Sequence, residues 1–138
     1  VGQLVLDGSL TLGPGEVTDG TFPAATSNEP LSATPNPKLF NAGTGILQRL
    51  FNNPSGFAAL SGVGTGDTVL QANALYFKCG PATIKLRLTF ADPDGGSDIV
   101  SVVPVSGTVF MEFPANGYLK LLEAKGSATI VYFLVGLQ

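Results

Sequence analysis

The sequence predicts an all-β chain: an antiparallel β-sandwich, jelly-roll or Greek-key like, of about eight strands with a Gly/Pro-rich extended N-terminal segment. Three observations carry that expectation. Residues 82–90 alternate cleanly, with Ile84, Leu86, Leu88 and Phe90 on one face and Thr83, Lys85, Arg87 and Thr89 on the other. That is the period of a strand with one wet face. From Thr68 onward the apolar runs are broken by turn signals about every ten residues, the spacing of sandwiches and barrels. Finally, 18 glycines and 10 prolines leave a single helix-like segment in 138 residues.

In chain order, Gln3–Leu6 and Ser9–Leu12 are short strand candidates. A Gly/Pro/Ser/Thr-rich stretch follows, holding Pro14, Pro23, Pro30, Pro35 and Pro37. Proline has no N–H to donate, so this stretch sustains neither helix nor central strand. Proline also narrows the unfolded ensemble, which favours an ordered arm, lying on its own or a neighbouring subunit, over a loose linker. The organisation expected is therefore 1–37 as strand pair and arm, and 38–138 as the β-sandwich.

Gly45–Asn53 is the helix-like segment. Ile46, Leu47, Leu50 and Phe51 share one helical face and Asn52-Asn53-Pro54 closes it, although the same run also suits a buried strand. Phe57–Leu60 leads into the glycine hinge Gly62–Asp67. The remaining expected strands are Thr68–Lys78, Ala82–Phe90, Ile99–Val105, Thr108–Phe113, Tyr118–Glu123 and Ser127–Leu137. Turns are expected at Asp92–Asp98, Pro114–Gly117 and Lys125-Gly126, with Pro104 marking an edge or bulge.

Composition narrows function. There is no histidine, no tryptophan and one cysteine, so the side chain most used for acid–base work near neutral pH and for metal ligation is missing. Charged residues are 12% and hydrophobic residues 44%, a charge-poor balance that suits proteins which hide surface in assemblies. The net charge is −3 and the basic residues are scattered, which argues against nucleic acid as a partner. No apolar run approaches a membrane-spanning length, and the N-terminus has no basic region leading into an apolar one; a start at Val1 is compatible with methionine removal and with processing. Cys79 has no partner for an internal disulfide, and the missing tryptophan and cysteine pair argue against a true immunoglobulin domain.

Several constellations bear on chemistry. Asp92, Asp94 and Asp98 share a glycine-containing loop that offers oxygen to a hard cation, but a hairpin turn explains them better. Gly62-Val63-Gly64-Thr65-Gly66 lacks the lysine and helix of a phosphate loop. Glu112 and Glu123 fit solubility better than a glycosidase pair. Cys79 fits a small buried thiol, and Tyr76 and Phe77 face opposite ways, so they make no sugar platform together. No catalytic, cofactor-binding or metal-binding residue is assigned.

The C-terminal strand gives the sharper signal, because it is apolar on both faces. Ala128, Ile130, Tyr132 and Leu134 make one; Thr129, Val131, Phe133, Val135 and Leu137 make the other. One face serves the core, and the other meets an arm of the same chain or a neighbouring subunit. The expected interface is Val131, Phe133, Val135 and Leu137, with Phe22 and Leu31 from the arm.

A Gly/Pro-rich N-terminal part followed by a compact β-domain ending in the run Tyr118–Tyr132 resembles small virion structural proteins of tailed phages, of the capsid decoration or cement type. The resemblance covers layout and composition and carries over no functional residue. It implies a non-enzymatic protein, commonly trimeric, that clamps neighbouring capsomers on a capsid lattice in the virion. The partners expected are other copies of the chain and that lattice, with no cofactor, nucleic acid or membrane. The rival is a carbohydrate- or receptor-binding sandwich, weakened by the absence of tryptophan; a small hydrolase ranks third.

Overall fold

A computed structural model describes residues 2–11, 28–30 and 38–138, and no helix occurs among them. The chain divides into two compact units, Gln3–Leu39 and Phe40–Gln138 with Val1–Gly2. Strands β1 (Gly2–Leu4) and β4 (Lys38–Phe40) form one two-stranded ladder, and β2 (Ser9–Thr11) and β3 (Asn28–Pro30) form another. Ser9 lies opposite Pro30 and Thr11 opposite Asn28. The N-terminal strand candidates are thus paired outside the large sheet.

The large sheet is five-stranded, antiparallel and curled into a half-barrel. Its members are β5 (Ala42–Gly43), β6 (Leu47–Ala59), β7 (Gln71–Phe90), β8 (Ile99–Glu112) and β9 (Leu119–Leu137). β9 and β7 are central; β5 and β6 flank β9 on one side and β8 flanks β7 on the other. Within the helix-like segment 45–53, residues 47–53 are strand and none is helix. As period two replaces period 3.6, Phe51 turns into the core while Ile46 and Leu50 turn out.

The expected short strands are long strands with corners. Thr68–Lys78 and Ala82–Phe90 merge into the 20-residue β7, and Tyr118–Glu123 and Ser127–Leu137 into the 19-residue β9. Ile99–Val105 and Thr108–Phe113 likewise merge into β8. The glycine and proline signals that resemble turns fall at one level across the sheet. The β7–β8 ladder shifts register on both sides of Gly80, which lies opposite Gly107. The β7–β9 ladder breaks between Lys78 and Lys85, and the β6–β9 ladder between Asn53 and Ala58. Bulges with glycine at positive φ bend a strand sharply without ending it. Gly80 (φ 64°), Gly107 (φ 80°) and Gly126 (φ 133°) supply that backbone on three adjacent strands.

Bending lets both halves of the sheet share one apolar core. Leu75, Phe77, Tyr132 and Leu134 lie on one side of the corner, and Ile84, Leu86, Leu88, Leu122 and Ala124 on the other, in a single buried cluster. Each buried Leu, Ile or Phe contributes about 1.5–3 kcal/mol. The polar atom carried inward by Tyr132 is satisfied, its hydroxyl donating to the Ser61 carbonyl at 2.8 Å. At the corner the buried Cys79 thiol points to the carbonyls of Ala82 (3.4 Å) and Val105 (3.5 Å).

The alternation in β7 is tested by a pair of substitutions. Leu86 is fully buried and Lys85 exposed, so Leu86→Asp unfolds the domain, whereas Lys85→Asp moves stability by no more than about 0.5 kcal/mol. Equal losses in a denaturant titration would mean that the two faces are misassigned. The corner is tested by Gly126→Ala against Gly80→Ala. Both force an L-residue into positive φ, costing roughly 1–2 kcal/mol. At Gly126 the added methyl also meets Ile84 Cδ1 at 2.9 Å and the Thr83 carbonyl oxygen at 3.1 Å, whereas at Gly80 it meets nothing within 4 Å. Gly126→Ala is therefore the more damaging of the two, read from their urea midpoints.

Candidate docking surface

The outward face of β9 is where the expected interface residues fall. Val131 sits between Gln48 of β6 and Lys78 of β7 and is half-buried. Phe133 lies opposite Tyr76, and their rings stack with centroids 5.2 Å apart and planes 10° from parallel. Tyr76 in turn lies opposite Phe110 of β8, so an aromatic row crosses three strands. Val135 is buried opposite Gly43, and Leu137 is partly exposed opposite Gln71. Phe22 and Leu31 lie outside the described residues. Among the described residues, 40–46 of the same chain meet part of this face.

Those residues shape an apolar recess of about 360 Å³, lined by Phe40, Gly43, Gly45, Ile46, Phe133 and Val135. Two glycines make the space. At Gly43 a methyl would come within 3.3 Å of Val135 Cγ1 and 3.5 Å of the Phe40 ring, partly filling it. Ile46, 76% exposed, stands at the rim just before β6, and Leu50, 78% exposed, lies four residues on in β6. Sequence reasoning missed both because a helical period placed them with Leu47 and Phe51 on a buried face. Strand period, read outward from the closing Asn-Asn-Pro, is the signal that separates them.

No charged side chain lines the recess; Lys78 lies on β7, opposite Val131. Beyond the bend, Arg87 donates to Glu123 through Nε (2.6 Å) and Nη2 (2.7 Å), a two-pronged ion pair with the guanidinium 4.3 Å from the Phe57 ring centre. The hydrogen bond from Arg87 holds the Glu123 carboxyl below its ordinary pKa, and the same bond raises that of Arg87. Lys85 lies directly opposite Lys125. Lys120 Nζ donates to both carboxylate oxygens of Asp98 at 3.0 Å.

The other sequence candidates resolve into structural parts. Asp92 accepts the backbone N–H groups of Asp94 (2.9 Å) and Gly96 (3.2 Å), the side-chain-capped turn of a β-hairpin loop. With Asp98 turned to Lys120, the three carboxylates do not converge, and no group of three metal-ligating side chains occurs among the described residues. The sequence places Glu112 and Glu123 on neighbouring strands; the structure separates them. β7 runs between them, Glu112 lying opposite Ala74 and Glu123 opposite Arg87. In the glycine hinge, Gly64 N–H donates to Val69 O and Asp67 N–H to Gly64 O, closing a tight loop before β7.

The Arg87–Glu123 pair predicts a pH response. Because the folded-state pKa of Glu123 is lowered, its contribution is present above the unfolded glutamate range, roughly pH 4.3, and is lost as pH falls through the folded value. Calorimetry across the acid range checks this: Glu123→Gln gives a lower melting temperature at neutral pH and a shallower fall on acidification. Parallel curves for variant and wild type would show that the pair contributes nothing. Against known proteins, no family model, no curated protein and no solved structure matches this chain.

Proposed function

We propose that this chain is a non-enzymatic structural assembly protein, a decoration or cement protein of a virion lattice, which associates through the apolar corner formed by β5, β6 and β9. The supporting observation is the grouping of exposed Ile46 and Leu50 around an uncharged recess floored by Phe133 and Val135. An isolated exposed aliphatic residue needs no explanation, but a group beside a concave apolar surface marks an interaction site. Covering one such side chain is worth about 1.5–3 kcal/mol, so a handful of them sustains association.

On this reading a neighbour laid over the outward face supplies the second layer of the sandwich expected from sequence. A trimer is the oligomer the phage-protein resemblance implies. The rival, a carbohydrate-binding module, draws less support from the recess. Sugar hydroxyls need hydrogen-bonding partners, and the six lining residues offer only glycine and hydrocarbon side chains.

Sedimentation of the full chain tests the reading. Wild type associates at micromolar concentration, and Ile46→Asp with Leu50→Asp returns it to the 14.1 kDa monomer with an unchanged circular dichroism spectrum. A wild type that stays monomeric, with a melting temperature raised by saccharide, would overturn assembly in favour of the rival.

A further inference from the structure

Ile99, Val100 and Val102 are all exposed, yet they do not share a face. Successive residues of a strand point to opposite sides. Val100 and Val102 therefore stand on the outward face, while Ile99 turns to the concave one with Val103 and buried Val105. What the three have in common is the edge of the sheet, for among the described residues β8 pairs with β7 alone. A partner that covers all three lies along the strand rather than over a face.

The backbone there is set to pair. Residues 99–105 of β8 run against 84–90 of β7 without a register shift. Just past the end of β7, Ala91 N–H donates to Tyr118 O, on the β9 side. Backbone groups of successive residues alternate sides, so Phe90, Leu88 and Leu86 turn theirs toward Ile99, Ser101 and Val103. Val100 and Val102 then hold their N–H and C=O groups toward the open edge. Pro104, opposite Lys85, falls in the same phase, where its missing N–H costs the β7 ladder nothing. Side chains 99–103 are also uncharged, whereas open strand edges are usually blunted by lysine or another charge.

We propose that this edge pairs with the same segment of a second copy, antiparallel about a two-fold axis at Ser101. The contact is separate from the recess and goes beyond the assembly reading. With Ser101 on the axis, Val100 of each copy lies opposite Val102 of the other, and every free N–H in the segment meets a carbonyl. The exposed valines form one patch on the outward face, and on the concave face Ile99 meets Val103 of the second copy. Pro104 falls at the end of the ladder, opposite the second copy's Asp98, so its missing donor interrupts nothing. Charge agrees with that register. The row that sets Lys125 beside Lys85 ends, across Pro104, on the second copy's Asp98, which already receives Lys120 of its own chain. No row across the axis sets like charges of the two copies together.

A contact of this length is weak alone, because a lone two-stranded pairing is marginal in water; its dissociation constant is on the order of 1 mM. The test uses the full chain carrying Ile46→Asp and Leu50→Asp, which removes the recess contact, so the two readings fail separately. Sedimented above that concentration, this chain rises toward twice the 14.1 kDa mass. Adding Val102→Pro removes a free N–H without touching the β7 ladder, and adding Val100→Lys places a charge at the edge. Each holds the chain at 14.1 kDa with an unchanged circular dichroism spectrum. Ser101→Pro, by contrast, removes an N–H turned toward β7 and lowers the melting temperature. A chain that keeps its monomer mass throughout would leave the edge to a strand of a different protein and overturn the pairing. Dimers that survive Val100→Lys in the folded chain would overturn it equally, by placing their contact elsewhere.

Discussion

Every other feature of the large sheet depends on its strands bending at the same level. β7 and β9 are paired along most of their length, so neither can turn a corner unless its neighbour turns with it. Gly80, Gly107 and Gly126 give adjacent strands the positive φ that a bend demands, and β6 interrupts its ladder opposite Gly126. Were one of these strands to run straight, its side chains past the corner would change face. A half-buried sheet tolerates no such slip. The bend also closes the concave side, which is how a single curled sheet achieves complete burial of Leu75, Leu86, Leu122 and Leu134.

The same bend sorts the outward face into zones. At the corner and just past it the cross-strand neighbours are charged: Lys85 opposite Lys125, and Arg87 locked to Glu123. Like charges set opposite each other disfavour the sheet slightly, an arrangement that is tolerable only where water screens them. Exposed apolar side chains stand at both edges of the sheet, Ile46 and Leu50 on one and Val100 and Val102 on the other.

How much of this was legible in the sequence depends on whether the local pattern had one reading or two. The alternation from Thr83 to Phe90 had one, and Ile84, Leu86 and Leu88 are buried as expected. The antiparallel all-β class and the turn at Asp92–Asp98 were legible for the same reason. Lys125-Gly126 had two readings, since a glycine that ends a strand and a glycine that bends one look alike until the partner strands are known. The corner is a property of four strands at once, so no window along one of them reveals it. Ile46–Phe51 was ambiguous in another way: five or six apolar-rich residues fit both periods, and the choice decides whether Ile46 and Leu50 are core or surface. The apolar outward stripe of β9, with Val131, Phe133 and Val135, was legible from strand period alone. Which neighbours complete it was not, because Phe40 and Gly43 reach it only through the pairing of β5.

The recess itself is a consequence of strand pairing rather than of a gap in the core. β5 is two residues long, and its register sets Gly43 against Val135 on the outward face. Hydrogen bonds from Asn41 N–H to Gly136 O and from Thr44 N–H to Leu134 O fix that register on both sides, and Thr44 Oγ1 accepts the Leu134 N–H at 3.0 Å. With the backbone pinned, the side chain at 43 decides whether the face is flat or hollow, and glycine makes it hollow. Gly45, at φ 67°, then turns the chain so that Ile46 stands at the rim instead of collapsing onto Phe133. A hollow and its neighbouring projection are therefore held by the same short, doubly anchored segment. Their relative position is as rigid as the ladder that carries them.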